Sequence, residues 1–575
     1  MPFLDLKLKL ANAISEHFGK HIDPQTLQAE LVSPPNVALG HVALPCYKLS
    51  KDLTRPAQEI AKELAAHLSG VGYCATVAGP YVNIKFDPVA LYNSTVSLIY
   101  EAQSRYGSDS SGARQCVVLE YCSPNIAKKL AFQHIRSSLI GNTLASVYRY
   151  LGYEIKRINF VGDWGSQFAR LLTAVELWGD RSRLNPSNIS DSMDHLFSIY
   201  VKFHKELEAN PTLIEEVGRN LKRLEQGESK WLETWQVIRK ISLAAMDQTL
   251  SRMDVQFDYV EGESQYIEAI EKTLEEIKSK TGARPSEGAF VVDLPGMETP
   301  ALIQKRDGTT LYLTRDIAAA MDRFQRFQFN RSLYVVSEQQ RLHFRQLFGV
   351  LTKMGFQWAD RLEHISFGTV LFGAGKMSTR EGNVVFLDDL LNEARELAVA
   401  ECAAKNPDLK DKTEVAEMVG VGAVIFGELS AHRTRDINFD WKSALSLDGE
   451  TGPYVQYAAV RCSSLLEKAA ERKTQVETFE PIAQHAFAPE EEVLLLELSK
   501  FRASLHRVVT ENEPYHLTHA LIDLTKAFNR FYYQLPVLQA TDTAQRNVRL
   551  ALVRSTHQVL VNGLTLLGIR CPKEM

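Results

Sequence analysis

The stretch from Gln115 to Gly162 constrains this chain more than any other. QCVVLEY (Gln115 to Tyr121) is a short apolar run of the kind found in strands buried on both faces of a parallel sheet. A polar loop, CSPN, follows it. Then come a long helical stretch from about Lys128 to Leu151 and a second strand, EIKRINFVG. Strand, crossover helix and strand in that order describe a βαβ unit, and so an α/β fold around a parallel nucleotide-binding sheet. Ligands of such sheets collect beyond the carboxyl ends of the strands. Glu120, Ser123 and Asn125 fall at that edge, where a carboxylate, a hydroxyl and an amide suit a small polar, cationic ligand. Ser123 and Asn125 could equally cap the helix that follows. Two more strand candidates lie further on, SLYVVSE from Ser332 and HISFGTVLF from His364.

The remaining texture divides the chain. At 575 residues it is long enough for about three to five domains. Residues 1–110 read as a small α/β module, with helical periodicity over Leu6 to Phe18 and Thr54 to Leu68 and a strand-like YVNIKF from Tyr81. Pro56 suits a helix start. The Ser/Gly stretch YGSDSSGARQ, Tyr106 to Gln115, is the best linker. Residues 111–390 carry the sheet, interrupted at about 180–280 by a charged, helix-rich tract that reads as a solvated insertion. A helical junction spans 391–450. From 451 to 575, stretches such as EVLLLELSKFRASLHRVV and HLTHALIDLTKAFNRFYYQL place apolar residues three and four apart, as an α-helical bundle requires.

Composition bounds the setting. The net charge of −5 does not advertise nucleic-acid binding, yet it does not exclude it, because binding needs only a local basic face. Cys46, Cys74, Cys116, Cys122, Cys402, Cys462 and Cys571 are odd in number and form no CxxC pair. That argues against a disulfide framework or a structural zinc site and fits a reducing compartment. The N-terminus lacks the apolar core of a signal peptide. The longest uncharged apolar run, VGVGAVIFG from Val419, is far short of the ~20 residues a membrane span needs. The expectation is a cytoplasmic protein with no membrane association.

The segment SPNIAKKLAFQHIRSSLIGNTLASVYRYLGYEIKRINFVGDWGSQF, Ser123 to Phe168, resembles without gaps the signature of the arginyl-tRNA synthetases, class I members of the synthetase superfamily. Three further blocks agree, in order. LYLTRDIAAA from Leu311 looks like the family's Tyr-Leu-Thr-Arg-Asp block. SLYVVSEQQRLHFRQLF resembles its strand with Gln-x-x-His-Phe. GKMSTREGNVVFLDDLL resembles the class I KMSKS loop. The junction DINFDWKSALSLDGETGPYVQYAAVRCSS, the C-terminal helices and the N-terminal module are also similar to the family's, so the resemblance covers nearly the whole chain. It implies a Rossmann-type catalytic domain between a small N-terminal tRNA-contacting α/β domain and an all-α anticodon-binding bundle.

It also implies an activity: ATP-dependent activation of L-arginine and transfer to the 3′-terminal adenosine of tRNA(Arg), with Mg²⁺ accompanying ATP. A guanidinium is planar, always charged and rich in donors, so it needs carboxylates and polar acceptors around it. Family positions that hold arginine match Glu120, Ser123, Asn125, Tyr312, Asp316 and Gln340 here. Tyr312 and Asp316, four apart, share a face on a helical turn. The ATP positions match Gln133, His134, His343, Lys376, Met377 and Ser378. Charge builds on phosphate oxygens during activation, so positioning and positive charge are the catalyst's main work. His134, Lys376 and Arg380 are the catalytic candidates, the last two on a loop rich in glycine (Gly373, Gly375, Gly382). For tRNA, phosphate contacts by basic side chains and stacking of exposed bases on aromatics point to Tyr454, Tyr457, Arg461, Asn529, Tyr532 and Tyr533. The family resemblance leans to a monomer.

One motif departs from the family. Its His-Ala-Gly-His reads Ala131-Phe132-Gln133-His134 here, so only the last histidine survives. Ala131 removes a donor to the triphosphate, and Gln133 puts a polar side chain where a glycine leaves a flat floor for adenine. One lost charge-assisted contact costs about 1.5–3 kcal/mol, or about ten- to a hundredfold in rate. Lys128 and Lys129 are the nearest candidates to compensate. The alternative is a synthetase paralogue that binds arginine or tRNA but has lost or altered ATP activation.

Overall fold

The computed structural model of the chain describes residues 2–19, 22–126, 128–306, 308, 311–372 and 385–575. At its centre is a five-stranded, all-parallel sheet built from β1 (Cys116–Glu120), β2 (Glu154–Val161), β3 (Tyr259–Gly262), β4 (Arg331–Ser337) and β5 (Leu362–Phe367). The spatial order is β5-β4-β1-β2-β3. β1 is buried along its whole length. Its side chains alternate between two cores, as the two-residue period of a strand requires. Val117 and Leu119 join the large core shared with the C-terminal helices, while Cys116 and Val118 face α2 (Tyr312–Phe327) and α3 (Arg341–Lys353). The crossover from β1 to β2 runs through α1 (Ile135–Tyr150), nearly all of whose residues are buried.

Four of these strands match the strand candidates of the sequence. The fifth, β3, lies inside the charged tract at 180–280, so that tract is not a purely helical insertion. Helices Ile189–Ala209, Leu213–Glu225 and Ser229–Arg252 precede β3, and Ile267–Thr281 follows it. The helix expected from Lys128 is also shorter. It starts at Ile135, and Phe132–His134 form a 3-10 turn. The reason is backbone pairing with a distant segment: Phe132 N–H donates to Val385 O at 2.8 Å and Leu387 N–H to Leu130 O at 2.8 Å. That pairing, an antiparallel bridge between Ala131 and Phe386, holds Ala131 extended.

The N-terminal module has its own core under an antiparallel sheet of Val42–Pro45, Tyr81–Lys85 and Cys74–Ala78. Its first helix runs Pro2–His17. The one expected from Thr54 runs Ala57–Gly70, because Thr54 instead ends a preceding helix in the left-handed conformation. The linker Tyr106 to Gln115 is tethered. Asp109 accepts from Arg502 Nε at 2.7 Å and pairs with His506 at 2.8 Å, on the bundle helix Pro489–Glu511. Among the described residues all seven cysteines are free, and no helix is long and apolar enough to cross a membrane.

Candidate active site

The carboxyl edge of the sheet gathers the arginine candidates from separate elements. After β1 the chain turns through two consecutive residues in the left-handed region, Cys122 (φ 70°) and Ser123 (φ 45°). Non-glycine residues pay for that conformation, and it persists where surroundings over-determine it. Here Ser123 N–H donates to Asn159 Oδ1 at 3.1 Å and Cys122 N–H to Ser137 Oγ at 2.9 Å. The strained turn carries Asn125 alongside Gly162 of the GDWG segment, extending the β1–β2 pairing. A Cβ on Gly162 would fall 2.0 Å from Asn125 Oδ1, so only glycine admits that approach. Ser123 and Asn125 therefore do not cap the helix, which begins ten residues after Asn125 with no side-chain cap.

Glu120, at the end of β1, is 7% exposed. Its Oε2 accepts from Arg323 Nη1 at 2.5 Å. Burial pushes its carboxyl above the usual range, the Arg323 charge opposes that, and Asp316 adds to it. Tyr312 and Asp316 lie on the first turns of α2, a helix with no side-chain cap, and Tyr312 is exposed. Asp316 Oδ2 meets His343 Nε2, on α3, at 2.6 Å. Burial lowers the His343 imidazole, but the Asp316 hydrogen bond and charge outweigh it, and the imidazole stands above its ordinary value. A residue expected at ATP is thus joined to one expected at arginine. Gln340 ends the exposed 3-10 turn after β4, between them in sequence.

Side chains absent from the sequence reading complete the edge. Glu261 of β3 accepts from Arg323 Nε at 3.0 Å and from Arg326. Glu263, pushed up to about 7 by burial, pairs with Arg315 at 2.6 Å. The Arg315 guanidinium lies 5.7 Å from the Tyr312 ring. Asp163, fully buried, accepts from Ser264 N–H at 2.9 Å and from Arg239 Nε at 2.9 Å, tying the insertion to the sheet. Breaking such a buried pair from one side costs about 3–5 kcal/mol. The legible signal was the spacing on α2, where Arg323 stands seven residues, two turns, beyond Asp316.

The nucleotide candidates are held more loosely. Gln133 is exposed on the 3-10 turn, so its side chain is not wedged into the core. His134 Nδ1 lies 3.0 Å from Ala131 O. A carbonyl only accepts, so Nδ1 carries the proton and Nε2 is left as an acceptor. Burial lowers this imidazole, which keeps it neutral. Lys129 pairs with Asp194 at 2.6 Å, and the Lys128 ammonium rests 4.5 Å from the Tyr200 ring, both on the insertion helix Ile189–Ala209. Lys376, Met377, Ser378 and Arg380 lie outside the described residues. No group of three or more His, Cys, Asp or Glu able to hold a metal is found among the described residues.

In the bundle, helices α4 (Gly452–Glu471) and α5 (Tyr515–Gln534) bring all the tRNA candidates but Tyr454 together. The Arg461 guanidinium lies 4.7, 4.9 and 5.2 Å from the rings of Tyr457, Tyr532 and Tyr533 and donates to Asn529 Oδ1 at 2.7 Å. Tyr533 is 71% exposed and offers a free ring face. Tyr454 packs against the large core.

A parallel sheet with a helical insertion, its ligand edge lined by carboxylates, and a helical bundle behind it match known proteins over the whole length. Residues 95–441 match the family described as tRNA synthetases class I (R), catalytic domain, which sets the class. Residues 455–575 match the DALR anticodon binding domain, and residues 5–86 the arginyl tRNA synthetase N terminal domain. The arginine--tRNA ligase of Clostridioides difficile (strain 630) is 38% identical, covering 99% of this chain and 100% of its own. That of Ligilactobacillus salivarius (strain UCC118) is 37% identical, covering 100% of both. The solved Thermus thermophilus arginyl-tRNA synthetase superposes with a TM-score of 0.81 at 27% identity, over 99% of this chain and 100% of that one. The chain belongs to the arginyl-tRNA synthetase family.

Proposed function

We propose that the chain is an arginine–tRNA ligase, activating L-arginine with ATP and transferring it to the 3′-terminal adenosine of tRNA(Arg). The observation that carries this reading is the pair of carboxylates, Glu120 and Asp316, at the ligand edge of a class I sheet. In the first step an arginine carboxylate oxygen attacks the α-phosphorus in line. The bond to the bridging oxygen breaks and pyrophosphate leaves. In the second step the ribose 2′-hydroxyl of the terminal adenosine attacks the acyl carbon and AMP leaves. Asp316, Glu120 and Gln340 hold the guanidinium and α-ammonium, with Ser123, Asn125 and Tyr312 around them. Gln133, His134, His343, Met377 and Ser378 border the nucleotide, and Lys376 and Arg380 supply the positive charge at phosphate. Mg²⁺ arrives on the triphosphate of ATP. Tyr457, Arg461, Asn529, Tyr532 and Tyr533 form the platform for anticodon bases, with Tyr454 on the same helix as Tyr457 and Arg461. The protein works as a cytoplasmic monomer, a setting that the free cysteines fit.

The paralogue reading is not favoured, since relatives matched from end to end carry the ligase's name. The test is arginine-dependent charging of tRNA, run beside ATP–pyrophosphate exchange with and without tRNA. Charging, and exchange only when tRNA is present, is the expected result. Binding of arginine and tRNA with no charging under any condition would overturn the ligase reading.

A further inference from the structure

We infer that Arg323 is a positioning residue of the arginine pocket, an internal guanidinium that fixes the orientation of the Glu120 carboxylate which the substrate meets. The inference rests on the proposed role of Glu120 in holding arginine. Arg323 is 1% exposed and lies 5.1 Å from the Phe160 ring. It bridges two strands' ends, donating from Nη1 to Glu120 Oε2 at 2.5 Å and from Nε to Glu261 Oε2 at 3.0 Å. Glu261 is itself fixed, by Arg326 and by Tyr266 Oη at 3.2 Å. The planar guanidinium reaches both carboxylates at once with one N–H to each, in directions its rigid plane fixes, which the single flexible nitrogen of a lysine cannot do.

The consequence for Glu120 is twofold. Its Oε2 is spent on the protein, so Oε1 is what remains for a ligand. And burial drives this carboxyl toward its protonated form, a drive that the guanidinium against one oxygen opposes. Arg323 touches no reacting atom in this account. It acts through Glu120, much as an outer residue orients a metal's ligand.

The experiment is steady-state charging kinetics on the full-length protein, with separate KM values for arginine, ATP and tRNA, for Arg323→Met, Arg323→Lys, Glu120→Gln and the double variant Glu120→Gln/Arg323→Met. Arg323→Met is expected to raise the arginine KM about tenfold or more while the ATP and tRNA KM values stay within about twofold. Arg323→Lys, which keeps a cation on Glu120, recovers part of the loss. In the Glu120→Gln background, Arg323→Met adds less than about twofold, because the two residues act as one unit. If Arg323→Met does not fold, Arg323→Gln, neutral and of similar reach, is read in its place. Unchanged arginine KM in a folded neutral variant, or an equal rise for all three substrates, overturns the inference. An unchanged arginine KM in Glu120→Gln instead overturns the role of Glu120 itself, so the two failures are told apart.

Discussion

The amino-acid end and the nucleotide end of the proposed site are built on opposite plans. At the first, each carboxylate is already held by another charged or ionisable side chain: Glu120 by Arg323, Asp316 by His343 and Glu263 by Arg315. At the second, Gln133 is exposed, His134 is oriented by a backbone carbonyl, and Lys128 and Lys129 lean on the insertion helix. A preset charged pocket has no slack, since removing one partner strands a buried charge. Exposed turn residues can be exchanged at small cost. The departure from the family motif, AFQH, falls at the end where the structure tolerates change.

Substitutions should reproduce that contrast. The largest effect is expected from Asp316→Ala, which should lower kcat/KM for arginine by about a hundredfold or more, the price of a lost charged hydrogen bond. Unchanged arginine KM and turnover would break the comparison at its stronger end. Arg461→Ala, remote from both ends, should raise the tRNA KM about tenfold through loss of the stacked tyrosine cluster, leaving the arginine KM alone. A matching rise in arginine KM would show that the cluster and the pocket are not separate.

The Asp316–His343 pair gives a pH dependence with a definite sign. The imidazole stands above its ordinary value, so its protonated form grips Asp316 at low pH, and that grip is lost as pH rises through the shifted value. The arginine KM should therefore fall by up to about tenfold between pH 6 and 8. His343→Gln should flatten the profile; a profile rising with pH would refute the assignment. The smallest effect belongs to Gln133→Gly, where the ATP KM should stay the same or drop by about twofold. A large loss of ATP affinity would mean that the glutamine has become a ligand, and the nucleotide end is not as tolerant as the comparison holds.

What could be read from the sequence follows from which forces leave a local mark. β1 and the middle of β4 are apolar runs because both their faces are covered, while β2 and β5 are only partly covered and mix charged or polar residues with apolar ones. β3 has four residues, YVEG, with Val260 exposed and Glu261 turned to an ion pair, so no apolar run announces it. The 3-10 turn at Phe132–His134 depends on hydrogen bonds to Val385 and Leu387, more than 250 residues away, which no periodicity reveals. Glu120 and Asp316 stand out as candidates in the sequence because a guanidinium needs carboxylates. Arg323 is passed over despite its spacing from Asp316, because that search asks what a substrate requires and not which internal cation pairs with Glu120. Arg461 and its tyrosines were legible as types, but their gathering around one guanidinium is a product of helix packing between α4 and α5.

The most direct check is a crystal structure with L-arginine bound. The guanidinium should lie within hydrogen-bonding distance of Asp316 and of the Glu120 oxygen not taken by Arg323, with Arg323 unmoved. A crevice left empty, or a ligand bound elsewhere while Asp316 stays on His343, would contradict the account.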